Sequence, residues 1–254
     1  MLFRSLIQSE RIDKTDPYMH GVLAAIGIRK GDKFSPSDRE KELLGEAAET
    51  AWRMAKSIAA NADQIPKGIW WEDRKWVAHA HTEPDDFMRT LIDEEYRDRK
   101  TGHTAVDAKV HMYINHYSMS TGMISSVVGV GAKYGNAYKD SEGEFLMGDN
   151  QYTINFPPDP PAGLFWSLTL YDADTASGVD APGQTFPSLN SMNDLAKNDD
   201  GSVTFHIGPE KPADARNFIK TVPGRGWFSL WRFYGPEKAF FDRKYKPGDF
   251  VKVE

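Results

Sequence analysis

From about residue 150 to the C-terminus, apolar side chains recur at every second position in short runs, each closed by proline or glycine. Tyr152, Ile154 and Phe156 alternate with Thr153 and Asn155. That period of two gives a strand one buried face. Pro157, Pro158, Pro160 and Pro161 follow as a rigid connection, since each ring fixes its own φ and removes a ladder donor. Residues 164–171 read as a second strand, with Trp166, Leu168 and Leu170 on one face. Asp199-Asp200-Gly201 is a turn leading into Val203, Phe205 and Ile207, with Thr204 and His206 on the opposite side. Residues 227–234 form a last strand before a Gly235-Pro236 turn. Short strands with no helical pattern between them predict an antiparallel sandwich or jelly roll.

The first half carries a different period. Pro17 stands where a first helical residue is free of its missing N–H, and Gly27 closes the pattern of Val22, Leu23 and Ile26. Ser37 and Glu40 form a capping box. Leu44, Ala47, Ala51, Met54 and Ile58 then mark one face of a helix that runs to about Ala60, and this face is expected to be buried. Residues 69–82 are aromatic and irregular, and residues 83–99 read as a weak helix. Another helix begins near Thr104, with Val106, Val110, Tyr113, Ile114 and Tyr117 expected inside and His111 on its surface or between domains. The whole predicts an α+β protein: a helical N-terminal segment, residues 1–149, packed on an antiparallel jelly-roll-like β-sandwich, residues 150–254.

Composition narrows the function classes. The net charge of -6 argues against a phosphate backbone as partner, because such binding needs clustered Lys and Arg. The absence of cysteine excludes disulfides, thiolate nucleophiles and Cys-ligated zinc. It leaves the compartment open, cytoplasmic or periplasmic. No run approaches the roughly 20 apolar residues of a membrane-spanning helix. Leu2-Phe3-Arg4-Ser5 reads as a translated sequencing adapter. Residues 1–5 are therefore expected to be an assembly scar, with natural sequence continuing upstream.

Several segments together resemble the domain-of-unknown-function family DUF1214. They are Phe165-Trp166-Ser167-Leu168-Thr169-Leu170-Tyr171-Asp172, Phe186-Pro187-Ser188-Leu189-Asn190-Ser191 and Lys197-Asn198-Asp199-Asp200-Gly201-Ser202-Val203. Gly224-Arg225-Gly226-Trp227-Phe228, Arg232-Phe233-Tyr234-Gly235-Pro236 and Phe240-Phe241-Asp242 continue them in the same order. Pro17 to Gly27, Val106-Asp107-Ala108-Lys109 and Val128-Gly129-Val130-Gly131 resemble the stretch that precedes this domain in longer members. The resemblance implies a tandem jelly roll whose upstream β domain, DUF1254, is missing here. It brings no agreed catalytic residues, so a site must be argued from chemistry.

The clearest candidates are Tyr171 and Asp172 at one strand end, with Asp174 close by, and Arg232 and Tyr234 on the last strand. Arg232 shares a face with Phe228 and Leu230, so a charge interrupts an apolar alternation. Such a charge needs a partner, and Asp172 or Asp242 is expected to supply it. The plain reading is an ion pair locking the sheets; the functional one is a polar group in a ligand cleft. His79 and His81 would face one way on an extended chain, with Glu83, Asp85 and Asp86 near enough to complete a metal site. Two histidines without a clear third ligand fit a solvated loop better. Ser118, Ser120, Ser125 and Ser126 lie near His116, but no G-x-S-x-G elbow is present. Gly129-x-Gly131 lacks the third glycine and the βαβ unit of a dinucleotide site, so no cofactor is expected. These features predict a binding or structural module that forms a homo-oligomer, with a hydrolase as the alternative. The hydrolase site would lie between the sandwich and the helical segment or the missing domain.

Overall fold

The computed structural model describes residues 2–11, 17–65, 68–78, 106–116 and 127–253. Two compact units divide the chain, residues 1–54 and 55–254. The boundary falls within the third helix.

The first unit contains α1 (Leu2–Ser9), α2 (Pro17–Ala25) and most of α3 (Asp38–Ala60). The capping box forms as predicted. Ser37 N–H donates to Glu40 Oε2 at 2.7 Å, and Glu40 N–H donates back to Ser37 Oγ at 3.3 Å. Lys30 Nζ donates to the Gln8 and Glu10 carbonyls, tying α1 to the loop after α2. The expected burial does not follow the pattern. Ala47, Ala51 and Met54 are exposed, and α2 buries no residue. Helical period shows which residues share a face; whether a neighbour covers that face is a tertiary fact.

The second unit is built on two sheets. Its strands are β1 (Trp76–Val77), β2 (Ala132–Ala137), β3 (Gln151–Phe156), β4 (Ala162–Asp172), β5 (Ser188–Asn190), β6 (Val203–Gly208), β7 (Phe218–Lys220), β8 (Trp227–Pro236) and β9 (Val251–Val253). One sheet has the order β1-β2-β8-β4-β5, the other β7-β6-β3-β9. Two strands thus precede residue 150. Both sheets stay open, with β1, β5, β7 and β9 at their edges.

One pair departs from the antiparallel expectation: β6 and β7 run parallel. Asn217 accounts for it. Its Nδ2 donates to the Ala196 and Thr204 carbonyls, and its own carbonyl accepts from His206 N–H. The incoming chain is fastened alongside β6 before β7 starts. Thr204 and His206 turn away from the buried Phe205 and Ile207, as the alternation predicts.

The inner faces of the two sheets meet in an aromatic core. Phe156 of β3 stacks on Trp166 of β4 at 5.5 Å and meets Trp231 of β8 at 5.1 Å. Tyr152 meets Trp227 edge-on at 5.7 Å. Lys133 of β2 also lies on the inner side, opposite Phe233, and is only 5% exposed.

Helix α4 (Val106–His116) differs from its expected orientation. Val106 and Tyr113 are exposed, while Ala108, His111 and Met112 are buried. His111 sits inside because its polar atoms are satisfied there. Its Nε2 lies 3.0 Å from the Ala78 carbonyl, and Asn115 Nδ2 lies 3.1 Å from Nδ1. This assigns the Nε2–H tautomer, with Nδ1 as acceptor. Burial accordingly lowers the imidazole pKa. Asn115 Oδ1 accepts from Asn136 Nδ2 and Tyr138 Oη, both at 2.9 Å, fixing α4 to the β2 end of the five-stranded sheet. Among the described residues, no helix is long and apolar enough to cross a membrane.

Candidate functional site: an arginine among aromatic rings

Consecutive strand residues point to opposite faces. That rule divides the sequence candidates. Tyr171, Arg232 and Tyr234 come together on the outer face of the five-stranded sheet. Asp172, next to Tyr171, turns to the other side.

The outer face is built by register. Tyr134 of β2 and Ser167 of β4 flank Arg232, Phe165 lies opposite Tyr234, and Tyr171 opposite Phe228. Ser188 and Asn190 of β5 continue the same face beside Thr169 and Ser167. Arg232 leans along the sheet. Its Nη1 donates to Thr169 Oγ1 at 3.2 Å, and its Nη2 donates to Tyr171 Oη at 2.5 Å. The guanidinium carbon lies 5.5 Å from the Tyr171 ring centroid. On one side Phe165 and Tyr234 stack at 4.0 Å and 14°. On the other, Tyr171 stacks on Phe228 at 5.4 Å and Phe228 on Tyr138 at 4.9 Å. Arg232, Tyr171, Tyr234 and Phe165 are all half-buried. Burial pushes the Tyr134 phenol pKa up; Tyr234 and Tyr171 add to this and Arg232 opposes it.

Neither expected carboxylate pairs with Arg232. Asp242 accepts from Lys238 Nζ at 2.6 Å and lies 3.6 Å from Lys244 Nζ. Asp172 pairs with Arg225, whose Nε donates to Asp172 Oδ2 at 2.5 Å. The ion-pair expectation thus fails for Arg232 because alternation places Asp172 on the wrong face. Among the described residues, Arg232 meets no carboxylate.

Asp172 and Arg225 belong to a second feature, a cleft of about 320 Å³ at the end of β4, lined also by Thr175, Ser177, Asp180 and Thr221. Asp172 organises its rim: Oδ1 accepts from Asp174 N–H, Thr175 N–H and Thr175 Oγ1–H at 2.9–3.1 Å. The Arg225 guanidinium, with these donors, holds the carboxyl down at about 2. Asp174 receives Lys56 Nζ at 3.2 Å. Sequence reasoning missed Arg225 as a site residue. Its signal was a charge between two glycines, of which Gly224 takes φ +74°, a conformation that favours glycine.

His79, His81, Glu83, Asp85 and Asp86 lie outside the described residues, as do Ser118, Ser120, Ser125 and Ser126. Among the described residues, no group of three His, Asp or Glu side chains could hold a metal ion.

The fold and these sites define a two-sheet α+β protein with a cation set among stacked rings. Residues 131–238 match the model of a family described as "Protein of unknown function (DUF1214)", which supports the resemblance drawn from the sequence. The matched stretch contains the whole arginine cluster and the Asp172–Arg225 pair. Among solved structures, the VPA0106 protein from Vibrio parahaemolyticus is similar at 16% identity and a TM-score of 0.47, over 99% of this chain and 54% of that one. A putative uncharacterized protein from Burkholderia cenocepacia is similar at 17% identity and a TM-score of 0.39, over 59% of this chain and 40% of that one. The chain thus spans about half the length of the first, at 54%. None of the curated proteins compared with the chain matches it.

Proposed function

We propose that this protein is a binding module whose ligand sits on the outer face of the five-stranded sheet, at Arg232. One observation carries the reading: a half-buried guanidinium among aromatic rings has hydroxyl partners and no carboxylate among the described residues. A cation in such surroundings is stabilised by a counter-charge. A ligand anion supplies what the described residues do not.

Arg232→Met separates this from a structural role. A library of small acids, amides and alcohols is screened by thermal shift against both proteins. The variant is expected to melt within a few degrees of the parent and to lose every ligand-induced shift. A ligand at 100 times its Kd stabilises by about 2.7 kcal/mol, so the lost shift is readily measured. A sharp fall in melting temperature, with no ligand effect in the parent, would instead make Arg232 a structural residue.

A hydrolase is the alternative, with a site between the sheets and the helical segment or an upstream domain. It needs a nucleophile within reach of a general base. Arg232 is joined by Thr169 and Tyr171 hydroxyls and, among the described residues, by no imidazole, which favours binding. We also infer that the two sheets are the jelly-roll-like half of a tandem with an upstream DUF1254-type β domain, and that the module self-associates. Tyr18, Met19, Val22 and Ile26, all exposed, support association of that kind.

A further inference from the structure

We infer that the ligand of the arginine face is a monocarboxylate carried on a flat aromatic body, an inference that rests on the binding function proposed above. Charge selects the anion. On the outward positions of β2, β4, β5 and β8, Arg232 is the one charged side chain. A phosphate group brings nearly two negative charges at neutral pH. One of them would remain unmatched against half-buried rings, which is costly. A carboxylate brings one charge and matches the face.

The donors fit the same group. A guanidinium has five N–H donors in a fixed plane. Arg232 commits one to Thr169 and one to Tyr171. Among the described residues nothing accepts from the others, which leaves them for a ligand. Tyr171 accepts from Arg232 and so keeps its own hydroxyl proton to donate. These donors suit the two oxygens of a carboxylate.

The rings select the body. Tyr234 is two residues from Arg232 on β8 and lies nearly parallel to Phe165, at 14°. Tyr171 and Phe228 make a second stack on the other side, at 18°. Flat ligands gain from offset stacking on such surfaces beyond the area they bury. A short aliphatic acid gains only the charge.

The test uses the full chain and four probes: benzoate, acetate, inorganic phosphate and benzamide. Binding is read by NMR titration, with Arg232→Gln and Tyr234→Leu beside the parent. Benzoate is expected to bind at least about tenfold more tightly than each other probe, a difference of about 1.4 kcal/mol. Arg232→Gln should abolish benzoate binding. Tyr234→Leu should weaken benzoate severalfold and leave acetate unchanged; it reads the site without touching the guanidinium, should Arg232→Gln not fold. Acetate or phosphate binding as tightly as benzoate, still dependent on Arg232, would overturn the aromatic carboxylate and keep the binding function. No benzoate binding overturns the class. If the thermal-shift library also yields no Arg232-dependent ligand, the binding function falls with it.

Discussion

Replacing Trp231 with alanine is expected to destabilise the unit of residues 55–254 by about 3–5 kcal/mol, the range for a large buried aromatic. Trp231 is 2% exposed and reaches across both sheets. Its ring lies 5.7 Å from Trp76, 5.1 Å from Phe156 and 5.5 Å from Tyr245. Its Nε1–H finds no acceptor among the described residues, so truncation removes packing and no hydrogen bond. The surroundings are rigid rings, which collapse poorly into the space left behind. Denaturant unfolding of the variant checks this, with Met192→Ala, at a residue 74% exposed, as the control. The control should change stability by less than about 0.5 kcal/mol. A Trp231→Ala cost no larger than the control's would contradict the shared core.

Lys133→Met is expected to act in the opposite direction. Burial lowers the Lys133 pKa from 10.5 to about 8. An unfolded chain keeps a lysine pKa of about 10.4. Between pH 8 and 10 the unfolded chain therefore holds a proton that the folded one has shed, and stability rises with pH through that window. Below pH 8 the folded protein carries a charged amine on the inner side of β2, at a cost on the order of 3 kcal/mol. Methionine keeps an unbranched chain as far as the ε position and removes the charged amine. The variant should be more stable at pH 7 by up to that amount and lose the rise between pH 8 and 10. Denaturant midpoints at pH 7, 8 and 10 measure both effects. A less stable variant at pH 7 would mean that the amine has a partner worth keeping.

The strands that sequence reading found are those with strong contrast along them. Tyr152, Ile154 and Phe156 are buried, while Thr153 and Asn155 are not. The strands it missed have no such contrast. Trp76–Val77 is too short to show a period, and Ala132–Ala137 places Gly135 and Lys133 on its inner side. These strands exist because β8 pairs with β2, and β2 with β1. The capping box at Ser37 was legible because it is local; the exposure of Ala47 and Met54 was not, because it depends on what packs nearby. The charge at Arg232 within an apolar alternation was legible in the sequence, and the structure places it on the outer face beside Tyr171. Asp172 was grouped with the wrong cluster, although adjacent strand residues cannot face one way. Arg225 was missed because the register between β4 and β8 is what brings its loop to Asp172.

The central claim is that Arg232 holds a ligand's carboxylate against the aromatic face. A crystal structure of the full chain grown with saturating benzoate tests it most directly. The predicted result is a carboxylate within hydrogen-bond distance of the Arg232 guanidinium and the Tyr171 hydroxyl, with the ring against Phe165–Tyr234 or Tyr171–Phe228. A well-ordered Arg232 bonded only to Thr169, Tyr171 and water, with benzoate elsewhere or absent, would contradict it.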